Sequence, residues 1–128
     1  MREIEFKAWL KHRRTKIMCK VTIINFNLKK VCLLDTERGV ELGWYDLDDI
    51  QLIEYTGLKN KNGVKIFDGD IVENIYSNSK YELFWDEENC CFRMRNIDDD
   101  YDYLVLNIRE AGMIEVIGNI YENKELLD

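Results

Sequence analysis

The sequence predicts an all-β protein, a bent sheet or complex β-barrel of about nine short strands with one or two short helical turns. Three observations predict it. Apolar residues recur with a period of two in short runs, and little of the chain sustains the 3.6-residue period of an amphipathic helix. The stretch Tyr55–Val72, YTGLKNKNGVKIFDGDIV, holds two turn dipeptides, Asn62-Gly63 and Asp68-Gly69, so the chain reverses twice within eighteen residues. Proline is absent, which leaves glycine and asparagine to build the turns. Closing or strongly bending such a sheet removes its exposed edges.

The elements follow in order. Glu3 to Leu10 alternates, with Ile4, Phe6 and Ala8 on one side. Lys11-His12-Arg13-Arg14-Thr15-Lys16 is a basic turn, and Ile17 to Ile24 returns as a strand rich in Ile, Val and Thr. Asn25-Phe26-Asn27 bends the chain, Lys30 to Leu34 is a third strand, and Thr36–Gly39 turns it again. Val40 to Tyr45 makes a fourth strand with Val40, Leu42 and Trp44 on one face. Asp46–Ile50 reads as one helical turn that Asp46 caps. Gln51–Tyr55 approaches the Asn62-Gly63 turn, Val64–Phe67 leaves it, and the strand opened by Ile71 and Val72 runs to about Ile75. Tyr81–Trp85 and Cys91–Arg95 pair across Glu87-Glu88-Asn89, and the charged stretch Ile97–Asp102 is a loop. Tyr103–Ile108 fits a strand or a short helix. Ile114–Ile120 is the last strand, with Gly118 at a bulge or close approach, and Asn123 caps a terminal turn.

The central stretch resembles the signature of the YopX family, a group of small phage- and prophage-encoded proteins. Two further blocks resemble the family's start and end: Arg2-Glu3-Ile4-Glu5-Phe6-Lys7-Ala8-Trp9 and Glu115-Val116-Ile117-Gly118-Asn119-Ile120-Tyr121-Glu122-Asn123. The signature positions in this chain are Trp9, Gly57, Gly63, Gly69, Asp70, Gly118 and Asn119. Leu10 stands where the family usually has aspartate, and Lys124 where it usually has proline. The resemblance implies a single domain over residues 1–128, mainly β and barrel-like, from a phage context. It implies no established activity.

At 128 residues the chain is long enough to bury a core without staples. No apolar run reaches the length of a membrane span, and Arg2, Glu3 and Glu5 interrupt any signal peptide, so the expected location is the cytoplasm of the host cell, with no membrane partner. The four cysteines, at 19, 32, 90 and 91, lack the spacing of a zinc site and read as buried or half-buried thiols. Charge is unevenly spread. Residues 1–34 hold nine Lys or Arg against two Glu, +7, while the other 94 residues hold nine against 23 Asp or Glu, −14.

Few residues form a chemical constellation. His12 has no acidic or cysteine partner at short spacing, and no phosphate-binding glycine loop occurs. Asp68, Asp70 and Glu73 are the best carboxylate cluster, and three such groups converging within roughly 5 Å would hold Mg²⁺ for a metal-dependent nuclease. Turn chemistry explains the same residues more simply, because aspartate before glycine bonds its own backbone. The acids of 82–102, above all Asp98-Asp99-Asp100 and Asp102, fit a solvated loop or a decoy for nucleic-acid phosphates, which requires one continuous acidic surface. Lys11, Arg13, Arg14 and Lys16 fit a solvated hairpin tip, a nucleic-acid contact or the acids of a second copy, although the net charge of −7 opposes nucleic acid. The expectation is therefore a non-enzymatic accessory or interaction module with no cofactor and no metal, whose partner is an unknown protein or a second copy of the chain.

Overall fold

Phe6–Leu10 forms β1 in the computed structural model, which describes residues 2–11 and 16–127. The strand starts three residues later than the alternation predicts. Ala8 and Leu10 are buried, whereas Ile4 stands in water ahead of the strand. The chain then forms β2 (Met18–Asn25), β3 (Lys30–Asp35), β4 (Val40–Asp46) and, after a 3-10 turn at Leu47–Asp49, β5 (Ile50–Lys59). Next come β6 (Lys65–Phe67), β7 (Asp70–Asn74), β8 (Lys80–Asp86), β9 (Cys91–Asn96) and β10 (Tyr103–Val105). A four-residue helix α1 (Ile108–Ala111), β11 (Ile114–Asn119) and a 3-10 turn at Lys124–Leu127 end the chain. The class is all-β, with eleven strands among the described residues where the sequence suggests about nine. Of the two three-residue strands, β6 falls within the Val64–Phe67 run read from the sequence, and β10 within the stretch the sequence leaves open between strand and helix.

The chain divides into two compact units, one of residues 3–54 and one of Arg2 with residues 55–127. In the first unit the antiparallel order is β4-β3-β2-β1-β5, so the first strand pairs with both the second and the last. Its core is Ala8, Leu10, Cys19, Val31, Leu33 and Ile50. Each fully buried Leu, Val or Ile there contributes about 1.5–3 kcal/mol. Gly43, at φ +90, accompanies a shift in the β3–β4 register between Leu33 and Leu34. The bulge breaks the alternation the sequence predicts: Leu42 packs against the core while Val40 and Trp44 remain exposed. Asp46 does not cap the 3-10 turn with its side chain. Its Oδ1 instead accepts from Lys30 Nζ at 2.9 Å across the β3–β4 ladder.

In the second unit the far half of β5 pairs with β6, and a five-stranded sheet runs β10-β9-β8-β7-β11. Ile66, Val72, Leu83, Met94, Ala111 and Ile114 are among the buried residues of its core. Residues 103–108, open between strand and helix in the sequence, become both: β10 ends at Val105, and Asn107 caps α1 by accepting from Glu110 N at 2.9 Å. Cys90 departs from the expected burial. It is exposed at φ +52 in the β8–β9 turn, whereas Cys19 and Cys32 are buried and Cys91 is half-buried; no disulfide joins any of the four.

The units also redistribute the charge. Residues 1 and 3–54 hold nine Lys or Arg and nine Asp or Glu, so the basic strands are balanced within their own unit. Arg2 and residues 55–128 hold nine against sixteen, and the whole net charge of −7 lies there.

Candidate functional site

Apart from Trp9, the signature residues lie in the second unit, at or against the turns that join β5 to β6 and β6 to β7. Asn60, buried, organises the first turn: its Oδ1 accepts from Asn62 N at 2.9 Å and Val64 N at 3.0 Å. Gly63 sits at φ +80, a conformation that costs glycine nothing and other residues a clash. Thr56, also buried, donates to Ile66 O at 2.7 Å and accepts from Leu58 N at 3.2 Å. Asp70 is buried, and its Oδ2 accepts from Phe67 N at 2.8 Å, closing the Asp68-Gly69 turn from inside. Against that turn lies Tyr121, whose Cε2 would stand 3.0 Å from a Cβ placed on Gly69. Burial pushes the Tyr121 hydroxyl up to about 12, with smaller contributions from Asp68 and Glu82.

The C-terminal signature block completes this arrangement. Asn119 pairs in register with Asp70 across β11 and β7, and its Oδ1 accepts from Tyr121 N and Glu122 N. The β7–β11 register shifts between Val116 and Gly118, as the glycine suggests, and a Cβ on Gly118 would meet Asn123 Oδ1 at 2.6 Å. That oxygen accepts from Asn119 N at 3.1 Å rather than capping the terminal turn as the sequence suggests. Gly57, at φ +89, lies under the side chain of Arg2. Trp9 sits half-buried in β1, opposite Met18 and Gln51. These polar and glycine positions hold backbone in place.

The structure does not gather Asp68, Asp70 and Glu73 as metal ligands. Asp70 turns inward to Phe67 N, and Glu73 lies three residues along β7, opposite Glu115. Among the described residues no three His, Cys, Asp or Glu side chains come together to hold an ion. Several acids of 82–102 are matched within their own sheet. Glu82 meets Arg95 at 2.9 Å, Asp86 meets Arg93 at 3.2 Å, and Asp102 accepts from Tyr81 OH and Asn96 Nδ2. A hydrogen bond from Asn89, with help from Arg93, holds the Asp86 carboxyl below its ordinary range. Burial first, then Asp102, raises the Tyr81 hydroxyl above its own. Of the basic hairpin tip, Lys11 and Lys16 are exposed, while His12, Arg13 and Arg14 lie outside the described residues.

One feature of the first unit is absent from the sequence reading. In the outer ladder of β2, β3 and β4, Ile23 is opposite Cys32 and Cys32 opposite Trp44; two residues further along each strand, Asn25, Lys30 and Asp46 form the next row on the same face. The β2–β3 turn carries Phe26 and Leu28 beside them, 72% and 63% exposed. Asn25, Leu28, Lys30 and Trp44 line a pocket of about 370 Å³, room for one large side chain. Its signal in the sequence is two large apolar residues in a bend that otherwise reads Asn, Asn, Lys, Lys.

A family model described as "YopX protein" matches residues 5–128, nearly the whole chain. The chain belongs to the YopX family. Two solved structures share its fold. Protein EF1440 from Enterococcus faecalis is 25% identical with a TM-score of 0.70, and protein yopX from Bacillus subtilis is 24% identical with a TM-score of 0.60. Each match covers 100% of both chains. No curated protein sequence matches the chain. The three blocks that resemble the YopX family in the sequence are, in the fold, the first strand, the two glycine turns and the last strand with its Asn119 turn. No helix among the described residues is long and apolar enough to cross a membrane.

Proposed function

We propose that this YopX-family chain is a non-enzymatic interaction module that engages a protein partner in the cytoplasm of phage-infected or lysogenic cells. The observation that carries the reading is a contrast between two regions. The polar signature residues Asp70 and Asn119, and Thr56 and Asn60 beside them in the central stretch, are bonded to backbone groups of their own turns. Leu28 and Trp44 meanwhile stand in water at a pocket, with Phe26 exposed in the same turn, at a hydration cost that an apolar contact would relieve. Trp and Phe are the side chains that anchor protein interfaces, and Lys30, paired to Asp46, gives the rim a polar boundary. The pocket would take one apolar side chain of the partner. The phage setting rests on the resemblance of the three blocks to phage- and prophage-encoded proteins.

The test is a pull-down from host extract with wild type and Trp44→Ser, each with and without nuclease. A protein retained by wild type after nuclease and lost with Trp44→Ser supports the reading. A catch that vanishes with nuclease points to nucleic acid instead and overturns it. So does Mg²⁺-dependent cleavage of DNA or RNA by wild type that Asp70→Asn abolishes, because the chain would then be a nuclease.

A further inference from the structure

β10 is the end strand of the five-stranded sheet, and its open side is complementary to itself. The bonding across β9 and β10 settles which backbone groups face that side. Asn96 N donates to Asp102 O and Leu106 N donates to Phe92 O, at the two ends of the ladder. The alternation of antiparallel pairs then places the exchanged bonds at Leu104 and Met94, which are in register. Tyr103 and Val105, the residues between, direct their N–H and C=O groups outward. Their side chains are 40% and 49% exposed.

The two ends of the strand differ in a matching way. Before it stands the loop of Asp98, Asp99 and Asp100, with Tyr101 95% exposed. After it stands Ile108, 81% exposed, followed by Arg109, also exposed and without an ion pair among the described residues. An antiparallel copy brings the beginning of one strand beside the end of the other, so acid meets arginine and Tyr101 meets Ile108, each twice.

We propose that β10 pairs with β10 of a second copy, antiparallel about a two-fold axis at Leu104. Tyr103 of each copy then exchanges two backbone hydrogen bonds with Val105 of the other, at the ordinary strand spacing of about 4.8 Å. The interface is isologous, so it closes at a dimer. The partner is this chain itself, and the proposal goes beyond the interaction reading above, using a different sheet and none of its residues. A three-residue edge buries little surface, so the dimer fills only at high protein concentration, roughly 0.1 mM and above. Most of an edge's hazard is limited by its shortness, and the charges at its ends select the one partner that complements them.

The experiment is sedimentation equilibrium from about 10 µM to 1 mM, with amide exchange at Tyr103 and Val105 followed over the same range. Wild type is expected to pass from monomer to dimer, with both amides slowing as it does. Val105→Pro removes an N–H that the molecule's own ladder does not use, and proline is tolerated on an edge, so the variant should fold and dimerise at least about tenfold more weakly. Arg109→Glu, on an exposed position, should weaken the dimer about tenfold through repulsion at both ends. The triple variant Asp98→Lys, Asp100→Lys, Arg109→Glu exchanges the charges and should restore it to within about threefold. A chain that is monomeric throughout overturns the proposal. So does a dimer that neither Val105→Pro nor Arg109→Glu weakens, or one whose Tyr103 and Val105 amides exchange at the monomer's rate.

Discussion

Gly118→Ala should be the most informative single-methyl change in the second unit. The backbone there lies outside the left-handed region, so alanine is acceptable to the chain itself. The added Cβ is not acceptable to its neighbours: it would lie 2.6 Å from Asn123 Oδ1, 2.9 Å from Asn123 Cγ and 3.0 Å from Leu126 Cδ1. Asn123 must move, and its Oδ1 then leaves the Asn119 N–H it now accepts at 3.1 Å. Overpacking costs about 1–3 kcal/mol and the lost hydrogen bond about 1 kcal/mol. Alanine recovers about 0.5–1 kcal/mol through a less flexible unfolded chain. The net expectation is a loss of about 1–3 kcal/mol, read by urea denaturation with far-ultraviolet circular dichroism. Asn123→Ala alone should cost about 1 kcal/mol, because it loses the bond without a clash. In the double variant the two Asn123 atoms are gone and only Leu126 Cδ1 remains close, so its cost should fall about 1–2 kcal/mol short of the sum. Additivity within about 0.5 kcal/mol would refute the steric argument, as would a neutral Gly118→Ala.

Three further outcomes are expected. Thr56→Val, which keeps the shape but leaves Ile66 O and Leu58 N without their hydroxyl partner, should lower stability by about 1–3 kcal/mol in the same denaturation assay; an unchanged midpoint would remove Thr56 from the turn's support. Tyr121 should ionise only as the pH approaches 12 in a difference ultraviolet titration of wild type against Tyr121→Phe. Its folded pKa of about 12 lies above the ordinary tyrosine value near 10, so its contribution is intact below pH 10 and is lost as pH rises towards 12; Tyr121→Phe should flatten that part of the stability profile. A thiol reagent should label Cys90 at once and Cys91 more slowly, while Cys19 and Cys32 react only on unfolding; rapid labelling of all four would contradict the burial of the first two.

The sequence by itself determined the features that are settled within a few residues. Asn62-Gly63 and Asp68-Gly69 predict turns because glycine accepts positive φ, and the chain turns at both, with Gly63 at +80 and Gly69 at +84. Gly118 marks the bulge in β11, and the short alternating runs give the β class. The family was also legible, since its three blocks coincide with these local devices. Tertiary structure alone decided which strands pair. Nothing near Phe6 or Ile50 announces that the first strand lies beside the fifth, because that pairing depends on matched faces 44 residues apart rather than on local sterics. The same holds for the candidate sites. Asp68, Asp70 and Glu73 cluster in sequence, yet Asp70 turns inward to accept from the backbone N–H of Phe67. Trp44 and Leu28 are sixteen residues apart and share a pocket only because β3 folds β4 back beside the β2–β3 turn. The open edge at Tyr103 and Val105 exists because β9 takes one side of β10 and no other strand among the described residues pairs with the other.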